Sequence, residues 1–213
     1  MIDESSPAAP TSDSEREHFD TPEALRAYIR RIIAARPPLG RAIRKDGLRF
    51  AAMRGERYEF ASSRAEWMNA LRLVFASDDF AGVALYRLRS TLHRRGIPVL
   101  PWILNRLCIV FFGIRIGDRV LIEEGLYVPH GNIIVDGVVT IGGGCTLCPW
   151  TTIGLKQGSF VGPVIEGNVF IGTGAKVLGD IHIGASANIG AGAVVVTDIP
   201  TNTSAAGVPA KVR

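Results

Sequence analysis

One histidine in this 213-residue chain stands where an imidazole could work as a base. His130 sits in Gly125-Leu-Tyr-Val-Pro-His-Gly131, two places past the aliphatic Val128. A neutral imidazole takes a proton from an alcohol near pH 7, where its own pKa makes it useful. The alternative reading is a surface histidine on a turn. His182 directly precedes Ile183 inside a regular repeat and reads as structural. Cys145-Thr-Leu-Cys148 has redox or zinc spacing, but tetrahedral zinc needs two more ligands and a redox pair usually opens a helix. Both cysteines flank Leu147 at positions that small residues fill elsewhere, so they read as packing and no metal is expected. Gly172-Thr-Gly-Ala-Lys176 resembles a phosphate loop only in composition, because no helix signal follows it.

These residues lie on a six-residue beat that runs from position 116 to about 196. Aliphatic residues recur at Ile116, Ile122, Val128 and Ile134, then after a one-residue slip at Ile141, Leu147 and Ile153. The beat leaves the grid over 155–164 and resumes at Ile165, Ile171, Val177, Ile183, Ile189 and Val195. A helix repeats at 3.6 and a strand at 2, whereas a short fixed period marks a solenoid. Six fits short strands with a turn after each, every strand sending one aliphatic inward. Small residues four places later, at Ala175, Ala187 and Ala193, suit a narrow core. The pattern predicts a hexapeptide parallel β-helix. Its excursion at 155–164 is where function is expected, since insertions from a rigid scaffold carry it.

Ahead of the solenoid the chain reads as helical over 21–113, after a tail at 1–20 whose Ser, Pro, Ala and acidic content predicts disorder. Thr21-Pro22 caps a helix bearing Leu25, Ile29, Ile32 and Ile33, which Pro37-Pro38 stops. The segment 39–60 has no clear pattern. Ser63 with Glu66 forms a capping box for a helix carrying Trp67, Leu71 and Val74, and Ser77 or Asp78 caps another that ends at Gly96. The apolar segment 98–113 reads as a helix buried against the base of the solenoid. Arg87, Arg89, Arg94, Arg95 and Arg106 read as a solvated basic face rather than a membrane contact, which is not expected. A net charge of +4 suits a polyanionic small molecule and is too weak to argue nucleic acid. Three cysteines build no secreted framework and no signal peptide is visible, so the expected setting is cytoplasmic.

From about residue 85 onward the chain resembles the serine acetyltransferases and their relatives among the hexapeptide-repeat acyltransferases. The resemblance rests on Gly125-Leu-Tyr-Val-Pro-His-Gly131, Ile171-Gly-Thr-Gly-Ala-Lys-Val-Leu-Gly179, Ile189-Gly-Ala-Gly-Ala-Val-Val-Val196 and Ala206-Gly-Val-Pro-Ala-Lys-Val212. It implies a left-handed β-helix over 114–213 behind a helical segment, assembled as a homotrimer with active sites in the clefts between subunits. It also implies acetyl-CoA along the cleft and His130 as the base that deprotonates the acceptor hydroxyl. By motif position, Gly154, Thr173 and Ala191 would meet the pantetheine arm and Lys211 the nucleotide phosphates.

The departures concern the partner of the imidazole and the acceptor. The family's aspartate fifteen positions before the histidine, which orients the imidazole, is Arg115 here, and the aspartate immediately before it, which meets the serine amine, is Pro129. The Arg-His pair that precedes the proline of the excursion, where the family reads the serine carboxylate, is Val161-Gly162. The resulting expectation is an acetyl-CoA-dependent O-acetyltransferase acting on the hydroxyl of a small molecule or sugar. The alternatives are a true serine O-acetyltransferase of cysteine biosynthesis, which would bind serine through Glu123, Glu124 or Lys156, and a non-catalytic hexapeptide scaffold.

Overall fold

A computed structural model of the chain describes residues 21–213; the tail expected at 1–20 lies outside them. The second half is the expected left-handed parallel β-helix, a prism of three sheets. The first sheet stacks β1 (Ile114–Ile116), β3 (Ile133–Val135), β6 (Thr152–Gly154), β9 (Lys176–Leu178) and β12 (Val194–Val195). The second stacks β2 (Val120–Ile122), β4 (Val139–Ile141), β7 (Val164–Ile165) and β10 (His182–Ile183). The third stacks β5 (Thr146–Leu147), β8 (Phe170–Ile171), β11 (Asn188–Ile189) and β13 (Ser204–Ala206), closed by the antiparallel β14 (Lys211–Val212).

The beat explains the prism with one correction. Every predicted inward aliphatic is buried except Ile134, which is 44% exposed. Val135 takes its place, stacked between Ile116 and Ile153. The slip therefore falls between Val128 and Val135, at the turn that contains His130, and not after Ile134. A strand of period 2 cannot absorb an extra residue without turning its side chains over, whereas a turn can. Ala175, Ala187 and Ala193 are buried as expected.

Among the described residues five helices precede the prism: α1 (Pro22–Ala34), α2 (Leu39–Met53), α3 (Ser63–Ala76), α4 (Asp78–Arg94) and α5 (Leu100–Phe112). The Thr21 hydroxyl caps α1 by accepting from the Ala24 N–H. The unreadable segment holds α2, which buries Ala42, Asp46, Phe50 and Ala51. Ser62, one residue before the expected cap, accepts from Ala65, and Glu66 pairs with Arg44 instead of closing a capping box. Trp67 and Leu71 are exposed, because α3 buries the neighbouring stripe Ala70 and Leu73. The apolar α5 buries only Pro101, Leu104 and Cys108, and its opposite face, with Trp102, Val110 and Phe111, is exposed.

The basic face expected on α4 is only partly solvated, since Arg87 and Arg89 are buried. The Arg87 guanidinium donates to both oxygens of Asp46 on α2, at 2.8 and 3.2 Å, and to the carbonyls of Ile122 and Glu123. Asp46 also accepts from the N–H groups of Gly125 and Leu126 at 2.8 and 2.9 Å. Arg89 donates to the Ile116 carbonyl and pairs with Asp118, while Arg36 donates to the carbonyls of Asp118 and Val120. The first coil has no coil beneath it, and these arginines satisfy the carbonyls it would otherwise leave bare. Burial pushes the Asp46 carboxyl up, against the pull of Arg87 and of the two backbone N–H groups. Every contact it makes is with a donor, so the pair is ionic. Removing one partner of a buried ion pair strands the other, which costs about 3–5 kcal/mol. Asp46→Ala is therefore expected to lower unfolding stability by about that amount; urea denaturation followed by circular dichroism measures it, and a loss under about 1 kcal/mol contradicts this role.

Candidate active site

The turn from Val128 to Val135 spans seven positions where the regular beat spans six. It accommodates the extra residue with three successive left-handed residues: His130 at φ 59°, Gly131 at 57° and Asn132 at 53°. Such backbone is costly for residues with a Cβ and persists only where the surroundings hold it. They do so here. The Asn132 side-chain amide donates to the His130 carbonyl at 3.1 Å, and its backbone carbonyl accepts from the Trp150 N–H at 2.7 Å. Ile133 donates to the Gly113 carbonyl at 3.1 Å, tying the turn to the end of α5, where Gly113 is itself left-handed. A Cβ at Gly131 would collide with the Phe112 carbonyl oxygen.

This tight docking throws the His130 side chain outward, 82% exposed, at a cleft of about 230 Å³. Asp78, Asp79, Val110, Phe111 and Asn132 line the cleft beside it. His130 Nδ1 lies 3.9 Å from Asp79 Oδ2. Asp79 belongs to the first turn of α4, whose start is fixed by the Ser77 hydroxyl accepting from Phe80. Phe80 packs edge-on against Phe50 at 5.3 Å, and Phe50 against Tyr127 at 4.7 Å, so α2, α4 and the approach to His130 share one aromatic cluster. Gly82 lets α4 come close: a Cβ there would stand 2.8 Å from Phe112 and 2.9 Å from Ile114.

Trp150, Thr173 and Ala191 occupy the equivalent turns of later coils, stacked above His130. Gly174 donates to the Pro149 carbonyl at 2.9 Å and Gly192 to the Thr173 carbonyl at 2.8 Å, which ties these turns into one column. Thr173 and Ala191 are exposed there. Gly154 lies across the first sheet, at the opposite corner, where the 155–164 excursion leaves the prism. Lys211 is exposed on β14 at the far end. The excursion carries exposed Phe160 and returns through Gly162, whose N–H donates to the Val138 carbonyl at 2.9 Å. Arg115 is exposed on β1.

The remaining candidates pack as structure. His182 lies on the second sheet, 3.1 Å from Glu166. Burial pushes the Cys145 thiol up to about 12 and raises that of Cys148, so neither is a ready thiolate. Lys176 donates to the Trp150 carbonyl at 2.8 Å and so braces a turn. Among the described residues no group of three or more His, Cys, Asp or Glu could hold a metal ion, and no helix is long and apolar enough to cross a membrane.

No family model matches the chain. A serine acetyltransferase of Helicobacter pylori strain J99 is 39% identical over 130 residues, which is 59% of this chain and 75% of the relative. A serine acetyltransferase of Synechococcus elongatus is 31% identical over 147 residues, or 68% of this chain and 60% of the relative. The chain thus spans less than two thirds of the cyanobacterial protein. Among solved structures, soybean serine acetyltransferase complexed with serine superimposes with a TM-score of 0.69 at 26% identity, covering 90% of this chain and 76% of that one. Serine acetyltransferase from Brucella abortus in complex with coenzyme A gives 0.69 at 24% identity, covering 89% and 73%, which speaks for the fold alone.

Asp79 and Asn132 escape a reading of the sequence. Asp78-Asp79 looks like ordinary acidic dressing of a helix start, and nothing local says that residue 130 will lie beside it. The displaced slip in the beat was the available signal, since it marks the His130 turn as the irregular one. Gly131→Ala is expected to destabilise the fold by about 2–4 kcal/mol, from left-handed backbone plus the clash with Phe112. Thermal unfolding checks this, and an unchanged midpoint contradicts the tight docking of this turn.

Proposed function

Because this chain belongs to the serine acetyltransferase family of hexapeptide-repeat acyltransferases, we propose that it moves an acetyl group from acetyl-CoA to the hydroxyl of a small molecule, with His130 as general base. The observation that carries the reading is the placement of His130: an outward imidazole at the mouth of a cleft, at the foot of a column of turns that includes Thr173 and Ala191. A free imidazole nitrogen takes the proton as the acceptor oxygen attacks the thioester carbonyl. The tetrahedral intermediate then collapses, expelling the CoA thiolate, which recovers the proton from the imidazolium. Acetyl ester and free thiol leave together.

In the same reading, Thr173 and Ala191 offer exposed backbone to the pantetheine arm, Gly154 lines the opposite edge of the same wall, and Lys211 meets nucleotide phosphates as a point charge. Serine is the acceptor best supported, since it stands in the names of the relatives. A sugar or other hydroxyl compound is the second reading. It is favoured by a cleft lining that, among the described residues, holds two carboxylates and no lysine or arginine to receive a carboxylate. The proposed assembly is a homotrimer, in keeping with the exposed Trp150, Phe160 and Phe170 on the solenoid wall. A cytoplasmic setting goes with the three free thiols Cys108, Cys145 and Cys148.

Thiol release from acetyl-CoA, assayed with serine and with a panel of sugars and amino alcohols, tests the reading. One acceptor is expected to accelerate release, and His130→Ala to reduce the acceleration about 10²- to 10⁴-fold. Release that no acceptor stimulates, or that His130→Ala leaves unchanged, overturns it. Light scattering is expected to give about three times the 22.9 kDa chain mass; a monomer overturns the assembly.

A further inference from the structure

We propose that Asp79 is the residue that orients His130, holding the Nδ1 side of the ring so that Nε2 faces the acceptor as the base. The inference rests on the transfer reading above for its consequence, and on the geometry alone for its existence. Asp79 Oδ2 lies 3.9 Å from Nδ1. That separation is an ion-pair distance, and catalytic hydrogen bonds are often long in unliganded enzymes and tighten only when substrate is bound. A carboxylate accepts only, so the nitrogen that faces it carries the hydrogen. The lone pair of a neutral ring is then on Nε2, turned away from α4.

The two partners are held rigidly from opposite sides. His130 has no freedom of backbone in its left-handed turn, which Gly113, Phe112 and Trp150 brace. Asp79 is fixed by the Ser77 cap and by the closeness of α4 to α5 that Gly82 permits. The charged groups on the cleft beside the imidazole are Asp78 and Asp79, both from α4; α5 contributes Val110 and Phe111, and the turn itself Asn132. Arg54, past the end of α2, is close enough to feel the charge of Asp79, but its hydrogen-bonded partner is Glu56 at 2.7 Å. Asp79 therefore keeps its charge available to the ring. The chain position fifteen before the histidine is the exposed Arg115, which cannot accept a hydrogen bond, so the carboxylate reaches the imidazole from a different element.

The test combines a spectroscopic and a kinetic arm on the full chain. Nitrogen-15 spectra of imidazole-labelled protein, with His130 assigned by its loss in His130→Ala, are expected to show the neutral ring protonated on Nδ1. In Asp79→Asn that preference is expected to weaken, because the side-chain amide can present a donor as well as an acceptor to the ring. In the assay, Asp79→Asn is expected to lower kcat at least about tenfold with little change in the KM for acetyl-CoA. Asp79→Glu is expected to restore part of the rate. An unaltered tautomer in Asp79→Asn overturns the proposal, whatever the activity. An altered tautomer in a protein that acetylates nothing leaves the orientation standing and overturns the transfer reading instead.

Discussion

The carboxylate of Asp46 is enclosed by donors from two directions: the guanidinium of Arg87 on one side and the N–H groups of Gly125 and Leu126 on the other. The same guanidinium reaches the carbonyls of Ile122 and Glu123. A parallel β-helix satisfies its backbone only by stacking coil on coil, so its first coil needs a substitute for the coil it lacks. Here the substitute is ionic. Arg87, Arg89 and Arg36 bring charge-assisted donors to that rim, and the helices that carry them are thereby locked to the prism. The geometry of the cleft depends on this lock, because Asp79 lies in the first turn of the helix that carries Arg87 and Arg89, while His130 belongs to the prism.

The division between what could and could not be read in the residues follows the range of the interactions. The six-residue beat is a local and repeated signal, and it fixed twelve of thirteen inward positions. Ile134 broke the series because a single extra residue shifts the register of whatever follows, and periodicity alone does not say on which side of a strand the extra residue sits. Caps were legible to within one residue, as Thr21 and Ser77 show, while Ser62 was missed for its neighbour. The burial of Arg87 and Arg89 was not legible at all. An arginine on a helix face is ordinarily solvated, and only the bare carbonyls of a solenoid end, 27 to 36 positions away, make a buried one favourable.

The site divides in the same way. The resemblance names His130, Thr173 and Ala191 as candidates by motif position on the repeat, whereas Asp79 comes from 51 positions upstream, through a contact that depends on how α4 docks. The helix α2 was unreadable because its buried positions include a glycine and an aspartate, Gly47 and Asp46, which ordinarily argue against a buried face. Gly47 is there for closeness to Ala70 and Phe80, and Asp46 for the arginine. Both are answers to partners that are remote in the chain.

The excursion at 155–164 carries a consequence of its own. Ile153 and Ile165 lie on adjacent sheets twelve positions apart, where the beat separates adjacent sheets by six, so the loop holds six residues beyond an ordinary corner. The loop leaves at Gly154 and returns at Gly162, where Gly162 donates to the Val138 carbonyl and a Cβ would stand 2.7 Å from Val139. Its two ends are thus pinned to neighbouring rungs of the ladder, while Phe160 and Lys156 between them contact the solvent. Such a joint behaves as a socket. Segments of other lengths and chemistries can be plugged in at that corner without the rungs above or below being rewritten.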